Sequence, residues 1–383
     1  MANRYLKATG DWNNNNTWSE TDGGAAGATF PVAADSVFLT ANGNGLTVTL
    51  TGAEACASFT ASGGCTATMA GTQTLTVTGN VTLLGSMTVP NTITWLVGGN
   101  FAGSTLTTLG AITLNGTTPT TSGAFTCTNL TKDATTHATT DTLTCTSGVT
   151  MTVSGTITLS GGARNTQLLI QSSTLGTAAT IDCDTWVVDN CDLMDITNAG
   201  TAVDWSTATG DASTDKGDCG GNTGFTFPEA VAQTSADTQS WGTAAGWTSD
   251  IVPRCQDDVT CSHSKTIDIL RIGKSVTFSG AITISLSNDI NNYGSFTVSS
   301  GATYTHNNKM NYLRGRGNYT LATGNKTFDK IVLYAIGGSY TLQDNLTCSR
   351  DISPYYGNFI TNSKTIVARS IYNDVASSGE LTL

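Results

Sequence analysis

Charge is what this chain has least of. Lys, Arg, Asp and Glu make up only 12% of its 383 residues, well under the roughly one quarter usual in globular proteins. The little charge present leans acidic, for a net charge of −11. A nucleic-acid backbone needs clustered Lys and Arg, so no nucleic-acid partner is expected. The only compact basic spot is Arg314-Gly315-Arg316, which reads as a solvated turn. Proline is scarce at 6 residues, and the 3 histidines, His137, His263 and His306, stand apart with no His-x-His or His–Glu pairing. None of the ten cysteines forms a C-x-x-C pair, which removes the zinc-ribbon signature. No G-x-S-x-G elbow is present. No stretch approaches the roughly 18 apolar residues of a membrane-crossing helix, so no membrane partner is expected. The opening Met-Ala-Asn-Arg-Tyr-Leu-Lys lacks the apolar core of a signal peptide; synthesis in a cytoplasm without export by the general route is the expectation.

What is abundant is Gly (42 residues) and Thr. Apolar residues recur at every second position, as in Leu75-Thr76-Val77-Thr78 and Met151-Thr152-Val153-Ser154. Disordered low-charge segments lack such alternation, and helical spacing is not met anywhere. Thr is β-branched and suits a pleated face turned to water. The chain therefore reads as all-β, with short Gly/Asn turns.

One motif occurs twice. Trp12 and Trp18 stand six residues apart, followed by Pro31, Asp35 and Val37; Trp241 and Trp247 are again six apart, followed by Pro253, Asp257 and Val259 with the same four- and two-residue steps. Paired indoles beside a Pro/Asp turn suit a cap on the first coil of a stack, the aspartate bonding amides of its own turn. The expected fold is two tandem β-solenoid (β-helix-like) modules, each opened by a Trp/Pro/Asp cap, with a β-sandwich as the alternative. The solenoid is favoured by self-similarity: Leu75–Leu83 resembles Met151–Leu159 at an offset of 76 residues, read as four coils of 19, and Gly79-Asn80 is echoed by Gly99-Asn100. The first module is expected over 1–228, a linker over 229–240 and the second module over 241–383. Residues 198–228, rich in turn formers, would close the first module with Trp205, Phe225 and Phe227. No such block ends the second, so its last coil would present an open edge.

Chemistry is thinly signalled. The cysteines read mainly as small buried apolar residues, with Cys56/Cys65, Cys127/Cys145, Cys183/Cys191 and Cys255/Cys261 as candidate neighbours, the second pair stacked in one ladder. Asp182, Asp184, Asp189, Asp192 and Asp195 form the densest carboxylate cluster, with Arg164 the only local cation; a polysaccharide lyase or hydrolase would use such a face, but Asx turns account for it as well. Asp211, Asp215 and Asp218 do not follow EF-hand spacing, leaving any metal unassigned. No cofactor and no catalytic residue is expected. Tyrosine is concentrated in the second half, and Tyr293, Tyr304, Tyr312, Tyr355 and Tyr356 form the candidate binding surface, with Tyr334, Tyr340 and Tyr372 close by in sequence.

The opening Met-Ala-Asn-Arg-Tyr, the first Trp/Gly-Ala/Pro/Asp block, Asp218-Cys-Gly-Gly-Asn222-Thr-Gly-Phe225-Thr-Phe227 and Gly337-Gly-Ser-Tyr340-Thr-Leu342 resemble repetitive β-solenoid virion-surface proteins of tailed phages. The resemblance implies a non-enzymatic structural or adhesive protein, a fibre, spike or capsid decoration. It would be made in the host cytoplasm and carried on the virion surface. Its partners would be other virion proteins, further copies of itself and a host-surface glycan. A polysaccharide-degrading tailspike and an extracellular adhesin or filament subunit are the competing classes.

Overall fold

A computed structural model describes residues 1–104, 109–163, 166–207, 215–372 and 379–382. Alternation becomes strand throughout. In Thr74–Val77 and Thr94–Val97 the inward residues Leu75, Val77, Trp95 and Val97 are fully buried, while those between them stay half-exposed. Burying every second side chain removes the apolar face from water at roughly 25 cal/mol per Å². Among the described residues, helix is confined to short 3-10 turns such as Asn15–Thr17 and Ala244–Gly246.

The chain divides into two compact units, one holding described residues of 1–162, 167–205 and 221–226, the other including 215–220 and 227–372. In the first unit, successive strands pair in parallel, each with the strand one coil later. Val37 pairs Phe59, Phe59 pairs Val81 and Val81 pairs Phe101 along one face. Cys56, Val77, Val97, Leu114, Lys132, Leu159 and Val188 follow one another along a second. A third face carries Phe125–Cys127, Thr150–Val153, Ala179–Asp182 and Ile196–Asn198. This is a β-solenoid; a sandwich of hairpins would pair its strands antiparallel. Asn side chains bind coil to coil: Asn80 Oδ1 accepts from Asn100 N (2.9 Å) and Asn100 Oδ1 from Thr120 N (2.9 Å).

The coil length differs from the expected fixed period. One pairing step spans 17 residues from Val97 to Leu114 but 29 from Leu159 to Val188. Four steps from Leu75 end at Ile157, through Trp95, Ile112 and Leu130. Met151 lies on another face, paired with Phe125 and Ile181. The likeness of 75–83 to 151–159 therefore reflects shared strand-turn-strand chemistry, not an integral number of coils. The Gly-Asn echo does mark neighbouring coils, since Gly99 N donates to Gly79 O (2.9 Å).

In the second unit, Asp258–Cys261, Val276–Phe278, Phe296–Val298 and Asn318–Ala322 pair in turn. Two faces then merge. The 13-residue strand Lys330–Leu342 pairs with Met310–Leu313 through its first part and with Asn318–Ala322 through its last. Asp351–Ile360 repeats this over Lys330–Leu342, with register shifts at Tyr334. Gly357 is required at that bend: its φ is +81°, and a Cβ would fall 2.1 Å from Ala335 O.

The Trp/Pro/Asp motif has the same three-dimensional form in both units. Trp12 and Trp18 meet edge-to-face at 5.1 Å, and Trp241 and Trp247 at 4.7 Å, both at 73°. In each pair the second indole donates to the first residue's carbonyl, at 2.6 and 2.9 Å. Asp35 Oδ1 accepts from Ala2 N (2.8 Å) and Asp257 Oδ1 from Val231 N (2.9 Å). Asn3–Leu6 pairs in parallel with Ser36–Leu39, as Ala232–Thr234 does with Asp258–Cys261. The repeated construction thus starts before its tryptophans, and the segment expected to be a linker supplies the first strand of the second copy. All four indoles are buried, and Trp12 lies over Phe59 at 6.5 Å and Trp241 near Phe278 at 5.9 Å.

At the other end of the first unit Phe225 stacks on Trp205 (5.1 Å, 20°) and meets Trp186 edge-on (5.1 Å, 88°). Val203–Asp204 pairs with Phe225–Thr226 beneath them. A charged side chain occupies one inward position of the second face. Lys132 stands in the ladder between Leu114 and Leu159, fully buried, and its ammonium meets Asp141 Oδ2 at 2.5 Å. His137 Nδ1 contacts the same oxygen at 2.5 Å.

Candidate ligand-binding surface

The merged strands of the second unit carry a tyrosine ladder. In Met310–Leu313 the alternation sends Asn311 and Leu313 inward and Tyr312 outward. Tyr312 stacks on Tyr334 at 6.1 Å and 8°, and Tyr334 on Tyr355 at 5.3 Å and 15°, with Tyr356 tilted beside it at 6.0 Å. Parallel pairing places them one strand apart each time. Burial pushes the phenols of Tyr312 and Tyr334 up, against the opposing pull of Arg314, so both remain neutral hydroxyls at neutral pH. The Arg314 guanidinium lies over both rings, 5.4 Å from Tyr312 and 4.9 Å from Tyr334. Its Nε donates to Asn291 Oδ1 at 2.8 Å. Its terminal nitrogens have no hydrogen-bond acceptor among the described residues.

Arg314 also lines a pocket of about 160 Å³ with Lys274, Arg316, Tyr293, Tyr319, Gln256, Asp218, Gly220 and the Cys219–Cys255 disulfide. Three cationic residues and one carboxylate residue line it, on a chain of net charge −11. Asp218 Oδ1 accepts from Gly220 N (2.8 Å), and Gln256 Oε1 accepts from Asp218 N (3.0 Å). Gly220 has φ +93°, and a Cβ on it would come within 2.9 Å of Arg316 Cδ; glycine lets the arginine stem cross the wall. Lys274 is exposed, and among the described residues its ammonium has no hydrogen-bond or ion-pair partner. The disulfide closes a 36-residue separation with Cα atoms 5.3 Å apart. On loop-closure entropy it contributes roughly 3–4 kcal/mol. Cys219→Ser is expected to lower the unfolding free energy of oxidised protein by about that much, read from urea denaturation; equal midpoints for the two proteins would refute it.

The five tyrosines expected to form one binding face divide three ways. Tyr312, Tyr355 and Tyr356 belong to the ladder and Tyr293 to the pocket. Tyr304 instead packs on Phe328 (4.7 Å) against the core, its hydroxyl tied to Asn311 (3.1 Å). Tyr340 is buried, donating to Gly294 O (2.8 Å). The cap residues Trp12, Trp18, Pro31, Asp35, Trp241, Trp247, Pro253 and Asp257 are all buried. The carboxylate cluster serves turns where its bonds are visible: Asp184 Oδ1 accepts from Thr201 N (2.7 Å) and Oγ1 (2.8 Å), bonds that hold its pKa low, and Asp195 Oδ2 accepts from Gly176 N (2.9 Å). Asp182 ends the strand Ala179–Asp182 and Asp184 lies in the turn beyond, so the two do not share a strand face. Asp215 pairs with Arg254 at 3.8 Å. Arg164 and Asp211 lie outside the described residues.

The cysteine pairing differs from every candidate neighbour pair. Cys56, Cys65, Cys127, Cys145, Cys183, Cys191, Cys261 and Cys348 are free thiols, all buried. Cys127 pairs in register with Val153 and Cys145 with Thr121, on different faces, so they do not stack. Burial pushes the Cys56, Cys127 and Cys348 thiols up to about 12, which leaves them unreactive. The basic half of the pocket had one visible signal, Arg314-Gly315-Arg316. Lys274 had none, because its approach depends on coil stacking. Compared with known proteins, the chain matches no family model, no curated protein and no solved structure.

Proposed function

We propose that this is a non-enzymatic structural and adhesive protein of a virion surface, a fibre, spike or capsid decoration of a phage, built as two tandem capped β-solenoid modules. The second module engages a host-surface glycan, and the first carries it on the particle among other virion proteins and further copies of the chain. The observation that supports this best is the Tyr312–Tyr334–Tyr355 ladder with Arg314 across it. Flat phenol faces offer stacking area to the C–H faces of sugar rings, with hydroxyls at the rim for polar contacts and little rotamer entropy to lose. The ring spacing of 5.3–6.1 Å presents a continuous strip, not an isolated platform.

Two measurements test the two halves of the reading. Peptides of the chain should peak with a major capsid protein across a density gradient of the source material; peptides tracking with cells would end the virion assignment. Tyr334→Ala, at the centre of the ladder, should weaken binding of the purified protein to host cells by about tenfold or more, as for other aromatic hot spots. Unchanged binding by a folded variant would remove the ladder from the adhesive surface.

A further inference from the structure

We propose that the pocket beside the ladder holds the carboxylate of an acidic sugar residue, such as a uronic acid, whose neighbouring sugars lie along the tyrosines. The proposal rests on the glycan-binding reading and names the ligand class that the reading leaves open. Three observations carry it. First, the pocket gathers Lys274, Arg314 and Arg316 against the single carboxylate of Asp218, on a strongly acidic chain. Second, two of those cations have bonding capacity to spare: the Lys274 ammonium lacks a partner and Arg314 uses only Nε among the described residues. A guanidinium presents donors in a fixed fork that matches a carboxylate. Third, Arg314 belongs to both places. It lines the pocket and lies over Tyr312 and Tyr334, so a ligand stacked on the ladder reaches the pocket without a gap.

The size suits one charged substituent with its ring. About 160 Å³ is below the roughly 300–1,000 Å³ of drug-sized sites. It equals a handful of waters at about 30 Å³ each. Tyr293 and Tyr319 give that ring apolar walls, which a site for a bare inorganic anion would not need.

The test is calorimetric titration of the full chain with oligogalacturonate and with the matching neutral galacto-oligosaccharide. Wild type should bind the acidic oligomer at least about tenfold more tightly, the factor that roughly 1.4 kcal/mol supplies, and the preference should shrink as salt is added. Lys274→Met should lose most of that preference. Its side chain is exposed and its ammonium bonds to nothing among the described residues, so the variant should fold, which its melting temperature checks. Equal affinity for the two oligomers overturns the carboxylate pocket and leaves the glycan reading standing. Binding of neither oligomer, nor of sialylated or glucuronate-bearing glycans, overturns both. Inorganic phosphate competing as well as free galacturonate at equal concentration identifies a plain anion site and overturns the sugar-acid assignment.

Discussion

Asp257→Ala should lower the unfolding free energy by about 3–5 kcal/mol, among the largest single losses this chain can show. The carboxylate is fully buried and accepts from four donors: Val231 N, Arg254 N, Arg254 Nε and an Arg254 terminal nitrogen, at 2.9, 2.9, 3.1 and 3.0 Å. Alanine strands two amides and Arg254 Nε and leaves the buried guanidinium only Glu229 O (2.9 Å) and the more distant Asp215 carboxylate (3.8 Å), and each stranded group costs its desolvation. The equivalent Asp35→Ala should cost less, about 1–3 kcal/mol. Arg4 sits 3.7 Å from Asp35 and already donates to Thr29 Oγ1 at 2.6 Å, so less is stranded. Guanidinium denaturation followed by tryptophan fluorescence reads both, because each unit buries its own indole pair. Losses of equal size, or a loss below about 1 kcal/mol for Asp257→Ala, would show that the arginine clamp is not what the second cap depends on.

The second large effect is in the first unit's core. Asp141→Ala should destabilise by about 3–5 kcal/mol, since it leaves the Lys132 ammonium uncompensated inside the apolar ladder. The double variant Lys132→Met, Asp141→Leu should recover most or all of that. Apolar residues of similar volume avoid desolvating two charges and suit the leucines above and below. Thermal unfolding of the single and double variants decides it. A double variant no more stable than Asp141→Ala would mean that the ion pair specifies the coil in a way that packing cannot replace.

How much of this was legible in the sequence depends on the range of the interaction. Strand character was legible because Thr-x-Thr alternation is local, and strands such as Thr74–Val77 and Thr142–Cys145 fall where alternation puts them. Three-residue strands with small or polar side chains, such as Glu54–Cys56 and Thr120–Ser122, carry too little alternation to be read from sequence. Their stability comes from the coils on either side, not from their own pattern. The doubled Trp/Pro/Asp motif was legible because its spacing is rigid. Its first strand was not, because Ala232–Thr234 shares no residue type with Asn3–Leu6. Five tyrosines could be seen to cluster in sequence. Which of them face out depends on parity within each strand, and Tyr304 lies on the inward parity of Thr303–Thr305. The disulfide joins residues 36 apart, beyond any reading of near neighbours.

The variable coil length has a consequence for how such a chain can change. Pairing steps of 17 and 29 residues coexist in one ladder, the longer one also carrying longer strands on the other two faces, Leu168–Ser172 and Ala179–Asp182. Each coil rests only on its neighbours, and lengthening a corner costs little loop entropy, about 0.6 kcal/mol per doubling. Corners can therefore gain or lose residues while the coils beyond keep their register. The fold thus separates a scaffold of short paired strands from a rim whose length can change without moving them.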